Sequence, residues 1–447
     1  MPEDFGVMTA ALMVIGFSQI FWEAGMGKAL IQRQTDIQDA ANAAFWINVG
    51  LGLMIAALLF LFAQSIGQIF FQDDRVTAVL QVMTLQVLFG ALASVQTALL
   101  QKDMGFKKLF WVRFATVSLP GIASIPLAWH GWGYWALVAG TLAGQLAQVI
   151  MLWRMSHWRP SLTGNMRVTR EMAKFGAWVG ATGILTWFYA WADSLVVGHY
   201  LGTHDLGLFR TGGQLPAIFF ALLFCPITPV LYSQLSRIGP SKEKIKQMAE
   251  IAIAVLTVVA IPVASILFVF SDHIEVLIFG DKWSGIGVVL GVMALMHGFS
   301  WIVGMNGEFY RALGRPSCEA FVTAGTLVVY LFVYLMVVRQ GLNAFIWARM
   351  ALAMGALIFH LVLLNKILDI DFVLVLRRIL FVSLICAVIV FTVKELSVRI
   401  FDALWGQLVI GGLVSAVTAL LVIYMLERKK VVVQMTAILK KKWFFDV

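Results

Sequence analysis

The residues able to do chemistry in this chain are few, and they sit where charge is least welcome. Arg113, Arg210 and Arg349 interrupt long apolar runs, and so do Asp193, His297 and Glu308. An ionisable group at hydrocarbon depth faces a bundle interior or a watery cavity, where it pairs with a partner or serves an ion or substrate path. Fixed arginines suit an anionic substrate, a carboxylate such as Asp193 or Glu308 can hold a coupling ion, and His297 can relay protons. A purely structural reading stands beside this one. Asp193 and Arg349, each about 10 Å inside its span at 1.5 Å per residue, would then neutralise one another, and His297 would be a hydrogen-bonded core histidine.

Uncharged polar residues recur on the same runs at helical spacing. Thr182, Thr186, Tyr189 and Asp193 share one face, and Gln86, Ser94, Thr97 and Gln101 another; His297, Ser300, Gly304, Glu308 and Arg311 form a third stripe, and Thr141, Gln145 and Gln148 a fourth. Residues three and four apart are neighbours on a helix surface. Each stripe therefore reads as interhelical glue or as the lining of a polar path. Signatures of soluble active sites are missing from the sequence: there is no GxxxxGK[ST] and no HExxH, and Cys225, Cys318 and Cys386 stand far apart. No enzyme activity, metal or cofactor is expected.

The elements that must position these residues are membrane spans. The chain of 447 residues is 61% hydrophobic and 13% charged, far from the roughly 25% charged of a soluble domain. A span needs about 20 helical residues, and thirteen fit: 5–24, 42–63, 79–100, 109–129, 134–153, 175–200, 207–233, 250–270, 285–310, 319–338, 343–364, 379–394 and 405–426. The prolines inside them, Pro120, Pro126, Pro216, Pro226 and Pro229, predict bends. The pairs Gly140/Gly144, Gly176/Gly180 and Gly287/Gly291 predict close helix contacts.

Basic residues orient the chain. Lys28, Arg33, Lys102, Lys107, Lys108, Arg237, Lys242, Lys366, Arg377 and most others of the 33 Lys and Arg fall on one set of alternate connections. That side is expected to be cytoplasmic, together with the stretch 154–174 and the C-terminus. Trp129, Trp132, Tyr134 and Trp135 mark the outer interface. The net charge of +9 is thus a topology signal, and no nucleic-acid partner is expected.

The two halves echo one another. VLQVMTLQ (Val79 to Gln86) returns as VLGVMALM (Val289 to Met296), and PEDFG (Pro2 to Gly6) as THDLG (Thr203 to Gly207). The expected organisation is an N-terminal lobe at 1–153, a cytoplasmic hinge loop at 154–174, a C-terminal lobe at 175–364, two further spans at 365–426 and a basic cytoplasmic tail at 427–447. A complete span precedes THDLG and none precedes PEDFG. An odd span count with the C-terminus inside also leaves Met1 outside, so a first helix is expected to be missing from this chain.

Together PEDFG, ALIQR (Ala29 to Arg33), WALVAG (Trp135 to Gly140), DSLVVG (Asp193 to Gly198) and ALGRP (Ala312 to Pro316) resemble the polysaccharide transporter family, nearest its colanic-acid and lipopolysaccharide exporter branch. That family belongs to the multidrug, oligosaccharidyl-lipid and polysaccharide exporter superfamily. The resemblance implies an all-α, polytopic membrane helix bundle of the MATE-like flippase type, with two pseudo-symmetric lobes around a cavity. It implies a multi-pass flippase of the bacterial inner membrane, moving undecaprenyl-diphosphate-linked oligosaccharide for polysaccharide biosynthesis. Cation-coupled multidrug export and peptidoglycan-precursor flipping are the superfamily's alternatives. On this reading Arg113, Arg210 and Arg349 meet the diphosphate, Gln101 and Gln145 meet the glycan, and Asp193, His297 and Glu308 couple an ion. The implied partners are the lipid-linked oligosaccharide, membrane lipids, and a polymerase with other polysaccharide-assembly proteins.

Overall fold

The computed structural model describes residues 1–23, 25–161, 165–228, 231, 234–235, 241–313 and 316–427. Gly164, Pro229, Arg237, Arg315 and the tail from Arg428 lie outside the described residues, as do the side chains of Thr182 and Cys318. The helices are α1 Pro2–Glu23, α2 Met26–Gln32, α3 Ile37–Ile66, α4 Asp74–Lys102, α5 Phe106–Trp129, α6 Tyr134–Met155 and α7 Met166–Phe224, then α8 Lys242–Val269, α9 Ser271–Ile274, α10 Ile286–Ile302, α11 Asn306–Ala312, α12 Pro316–Val337, α13 Leu342–Leu368, α14 Phe372–Ile400 and α15 Leu404–Glu427.

Among the described residues, twelve helical segments are long and apolar enough to cross a membrane. The expected thirteenth is present without being separate. Gly183–Phe224 is one apolar segment of 42 residues, about 63 Å at 1.5 Å per residue and so about twice the hydrocarbon core. It breaks at Gly202, where φ 86 and ψ −178 fit no L side chain comfortably. Its two arms overlap the predicted spans 175–200 and 207–233.

The chain divides into two compact units, Met1–Gly207 and Leu208–Val447. In the first, α4 touches α1, α2, α3 and α6; in the second, α10 packs on α8 and α13. These two hubs carry the echoed VLQVMTLQ and VLGVMALM. The duplication extends to a rare detail: a single π-helical turn, Gly67–Phe71 in one unit and Glu275–Phe279 in the other, precedes each hub. Each hub also begins on a carboxylate. Asp73 accepts from the backbone N–H of Arg75 at 3.0 Å, and Glu275 accepts from those of Gly285 at 3.1 Å and Gly287 at 2.6 Å. Carboxylates at helix N-termini satisfy orphan donors and oppose the macrodipole.

Side-chain burial follows the bilayer rather than water. α5 and α12 leave Phe110, Trp111, Phe114, Val117, Phe321 and Phe332 exposed, as lipid-facing helices do, while α8 and α10 supply much of the second unit's core with Phe220, Phe224, Phe309 and Leu361. The proline-bearing α5 is held by the small-residue face of α6. A Cβ on Gly140 would lie 2.5 Å from the Pro120 carbonyl, and one on Gly144 2.8 Å from its ring. Gly287 and Gly291 make similarly close contacts with Glu275 and Ser271, whereas Gly180 meets only Ile20 at 3.9 Å. The predicted close contacts are therefore seen at Gly140/Gly144 and Gly287/Gly291.

The stretch 154–174 is only partly loop: α6 continues to Met155 and α7 begins at Met166. Its middle is fastened to α3. Asn42 donates to Ser161 Oγ at 2.6 Å and accepts from the Ser161 N–H at 3.0 Å, and the Trp46 indole donates to the Ser161 carbonyl at 2.9 Å. Arg159 meanwhile donates to the carbonyls of Trp153, Ser156 and Trp158. The polar composition there feeds anchoring hydrogen bonds.

Candidate functional site: a caged arginine and two polar clusters

In the second unit, α13 carries Arg349 seven residues after Leu342. Its guanidinium lies 5.3 Å over the Phe209 ring and 6.0 Å from the Tyr334 ring. Phe345, one turn earlier on α13, packs on both rings at 5.6 Å and 4.9 Å. Phe209, Tyr334 and Phe345 are buried. The cage draws one aromatic from each of α7, α12 and α13. Cation–π contacts of this kind contribute about 0.5–2 kcal/mol depending on desolvation.

The other predicted residues are dispersed. Arg210 follows the cage residue Phe209 on α7 and is partly buried, whereas Arg113 is exposed on α5. Gln101 is exposed at the end of α4, and Gln145 is partly buried on α6. Asp193 is 8% exposed, and its Oδ1 accepts from the Ser194 N–H at 2.6 Å and hydroxyl at 3.0 Å. His297, on α10, stacks against Phe220 at 6.1 Å.

The third predicted stripe is not continuous. α10 ends at Ile302 and α11 starts at Asn306, so the helical spacing from His297 and Ser300 to Glu308 and Arg311 is interrupted. Glu308 is ion-paired instead with Arg311 at 2.5 Å. Other stripe members serve their own helices: Thr97 donates to the Ala93 carbonyl and Thr141 to that of Leu137, both at 2.9 Å. Ser94 does join a neighbouring helix, accepting from Asn48 at 2.8 Å.

Sequence reasoning passed over a second polar cluster, in the first unit. Arg75 bridges Asp73 at 2.8 Å and Glu3 at 2.9 Å, and the Thr203 hydroxyl donates to Asp73 Oδ2 at 2.8 Å. Burial pushes the Asp73 carboxyl up, but the hydrogen bonds from Arg75 and Thr203 outweigh it and hold the group below its usual range. A third cluster closes the ALIQR segment. Arg33 pairs with Glu171 at 3.1 Å, and the Lys102 ammonium donates to the carbonyls of Ile31 and Arg33. The Arg33 hydrogen bond, followed by that of Arg167, lowers the Glu171 carboxyl. PEDFG, THDLG and ALIQR were visible as motifs; their partners Asp73, Arg75 and Lys102 looked like ordinary loop charges.

A helical bundle on a duplicated unit, with an arginine caged at span depth, defines a polytopic membrane protein with the fold of the flippases and multidrug transporters. Two solved structures share that fold: the lipid II flippase MurJ in an inward closed conformation (TM-score 0.76, 14% identity, 95% of this chain and 93% of that one) and an inward-facing multidrug resistance MATE family transporter (TM-score 0.62, 12% identity, 83% and 92%). The chain belongs to the family described as polysaccharide biosynthesis protein, whose model matches residues 1–287. Similar proteins include the succinoglycan biosynthesis transport protein ExoT of Rhizobium meliloti (24% identical; 66% of this chain, 60% of that protein). The lipopolysaccharide biosynthesis protein WzxC of Escherichia coli (24%; 70% and 62%) and the teichuronic acid biosynthesis protein TuaB of Bacillus subtilis (22%; 70% and 65%) are also similar. The matches span 60% to 65% of the length of these relatives.

Proposed function

We propose that this protein is a flippase of the inner membrane that moves a diphosphate-linked lipid oligosaccharide between leaflets during polysaccharide biosynthesis. The caged Arg349 is the observation that carries the reading within the family: a guanidinium held against the aromatic faces of Phe209 and Tyr334 inside an apolar helix is a cation suited to a diphosphate. Arg113 and Arg210 are the further cations of the path, and Gln101 and Gln145 contact the glycan. Asp193 and His297 couple the ion, while Glu308, engaged by Arg311, acts only when that pair opens.

In this proposal the organisation is an N-terminal lobe at 1–153, the connecting stretch 154–174, a C-terminal lobe at 175–364, the pair of spans at 365–426 and a cytoplasmic tail. A polymerase and other assembly proteins receive the flipped product. Moving charge within a membrane helix bundle is a matter of positioning and electrostatics, so no bond to the glycan is made or broken. Deleting the gene tests the function: surface polysaccharide should disappear and lipid-linked oligosaccharide accumulate. Drug sensitivity alone would favour multidrug export, and accumulated peptidoglycan precursor would favour a lipid II flippase like MurJ.

A further inference from the structure

The last two spans are fastened to the second unit at one end by a buried histidine that the proposed transport path does not use. α9 follows α8 after a single residue, Phe270, and carries His273, which is 8% exposed. Its Nε2 lies 2.9 Å from Gln407 Oε1, at the start of α15. Gln407 is buried too, and the end of α14 orients it: its Nε2 donates to the Phe401 carbonyl at 2.7 Å. The amide oxygen therefore faces the imidazole, and an amide oxygen only accepts. His273 Nε2 carries the ring proton, and Nδ1 is left with a lone pair. Nδ1 is buried and has no hydrogen-bond partner among the described residues.

The surroundings are otherwise apolar and close. The fully buried Phe270 meets the His273 ring edge-on at 5.6 Å, and a Cβ on Gly411 of α15 would lie 2.9 Å from the Phe270 ring. The Lys394 ammonium of α14 donates to the Val269 carbonyl at 2.7 Å and lies 3.5 Å from Asp272. Glu275 is occupied by the N–H groups of Gly285 and Gly287. Asp281, Lys282, Glu395, Arg399 and Asp402 are exposed. The adjoining ends of α8 (260–269), α10 (286–293) and α15 (404–411) carry no titratable residue. A second proton can enter His273 only at Nδ1. It would create a cation with an unsatisfied donor in a place closed to water, and a buried charge without a partner is costly.

We infer that His273 is a proton-operated latch: neutral, it holds the start of α15 and the end of α14 against α9, and on protonation it releases them. Histidine is the side chain suited to such a switch between pH 5 and pH 8. Gln407 stands at the beginning of α15, the end opposite the C-terminus. In the orientation proposed above, the latch faces the outer compartment and answers to its acidity. It operates whatever substrate is carried.

The test is hydrogen exchange of the full chain in lipid nanodiscs at pH 8 and pH 5, with rates corrected for the intrinsic effect of pH. Protection of 394–411 should fall at least tenfold at pH 5, and that of α10 and α13 less than twofold. His273→Gln keeps an N–H for Gln407 and cannot take a second proton, so its protection of 394–411 should change less than twofold with pH. Gln407→Glu gives the imidazolium a carboxylate partner, and its protection at pH 5 should at least equal that at pH 8. Wild-type protection that is the same at both pH values would overturn the inference, as would a loss of equal size across α10 and α13. A folded His273→Gln protein that loses protection like wild type would overturn it too; if that variant misfolds, the wild-type pattern and Gln407→Glu decide.

Discussion

Gly6 and Gly207 press backbone to backbone, each in the first turn of one of the chain's echoed helices. A Cβ on Gly6 would lie 1.7 Å from the Thr203 carbonyl oxygen and 3.1 Å from the Gly207 nitrogen; one on Gly207 would lie 1.9 Å from the Pro2 carbonyl oxygen and 3.0 Å from the Gly6 nitrogen. The contact is reciprocal. Pro2 preorganises its helix and Glu3 and Asp4 favour the N-terminus, and the Arg75 cluster ties Glu3 to Asp73 and so to Thr203.

Any side chain at either glycine must push backbone aside. Gly6→Ala and Gly207→Ala should each destabilise the protein by about 1–3 kcal/mol, the range for overpacked sites. Gly50→Ala, where a Cβ meets nothing within 4 Å, should be neutral or gain up to about 1 kcal/mol of helix propensity. Thermal unfolding in detergent reads the difference, and a Gly6→Ala melting curve like that of wild type would disprove the close approach.

Asp73 predicts a pH dependence. Because its folded pKa lies below the unfolded value of about 3.9, its stabilisation is present above that value and lost as pH falls through the folded one. Asp73→Asn should cost about 1 kcal/mol at neutral pH, the size of a typical net hydrogen bond. The gap from wild type should narrow as pH falls below about 4 and close once pH is below the folded pKa. A gap independent of pH would exclude the charge as its origin.

Gln96 on α4 is fully buried, and neither amide atom has a hydrogen-bond partner among the described residues. Replacing an unsatisfied buried amide by an apolar group of similar shape removes a desolvation penalty of about 1–3 kcal/mol. Gln96→Met should therefore raise the melting temperature and leave transport intact. A large loss of stability would reveal a partner for the amide.

Arg349 separates charge from shape. Arg349→Lys keeps the charge but loses the planar group that stacks on Phe209 and Tyr334. It should transport more slowly than wild type, at least tenfold faster than Arg349→Ala, and with no loss of expression. Equal activity of all three proteins would remove Arg349 from the substrate path.

The sequence exposed the spans well because hydrocarbon imposes length and apolarity on every crossing helix, as at α8 and α10. The duplication was legible in the α4 and α10 segments, where the same core has to be filled twice. Stripe reasoning was weaker. A break at Val303–Met305 interrupts the helix between His297 and Glu308, and nothing in the spacing announced it. Thr97 and Thr141 satisfied their hydroxyls one turn back, an outcome spacing cannot separate from interhelical bonding. Arg349 stood out by its charge, but Phe209, Tyr334 and Phe345 come from three helices and are common residues in an apolar chain. A cage of that kind exists only in three dimensions. Bends were expected at the prolines, and the non-helical residue inside α7 is instead Gly202.

The most direct measurement is transport by the purified protein in proteoliposomes. A fluorescent diphosphate-linked polyprenyl oligosaccharide is placed in both leaflets, and the fraction reached by an external glycan-modifying enzyme is followed over time. The account predicts that wild type brings the protected half into reach, that Arg349→Ala slows this at least tenfold at equal protein content, and that a multidrug dye is not moved. Wild-type liposomes in which half of the lipid-linked oligosaccharide stays protected, as in protein-free liposomes, would contradict it.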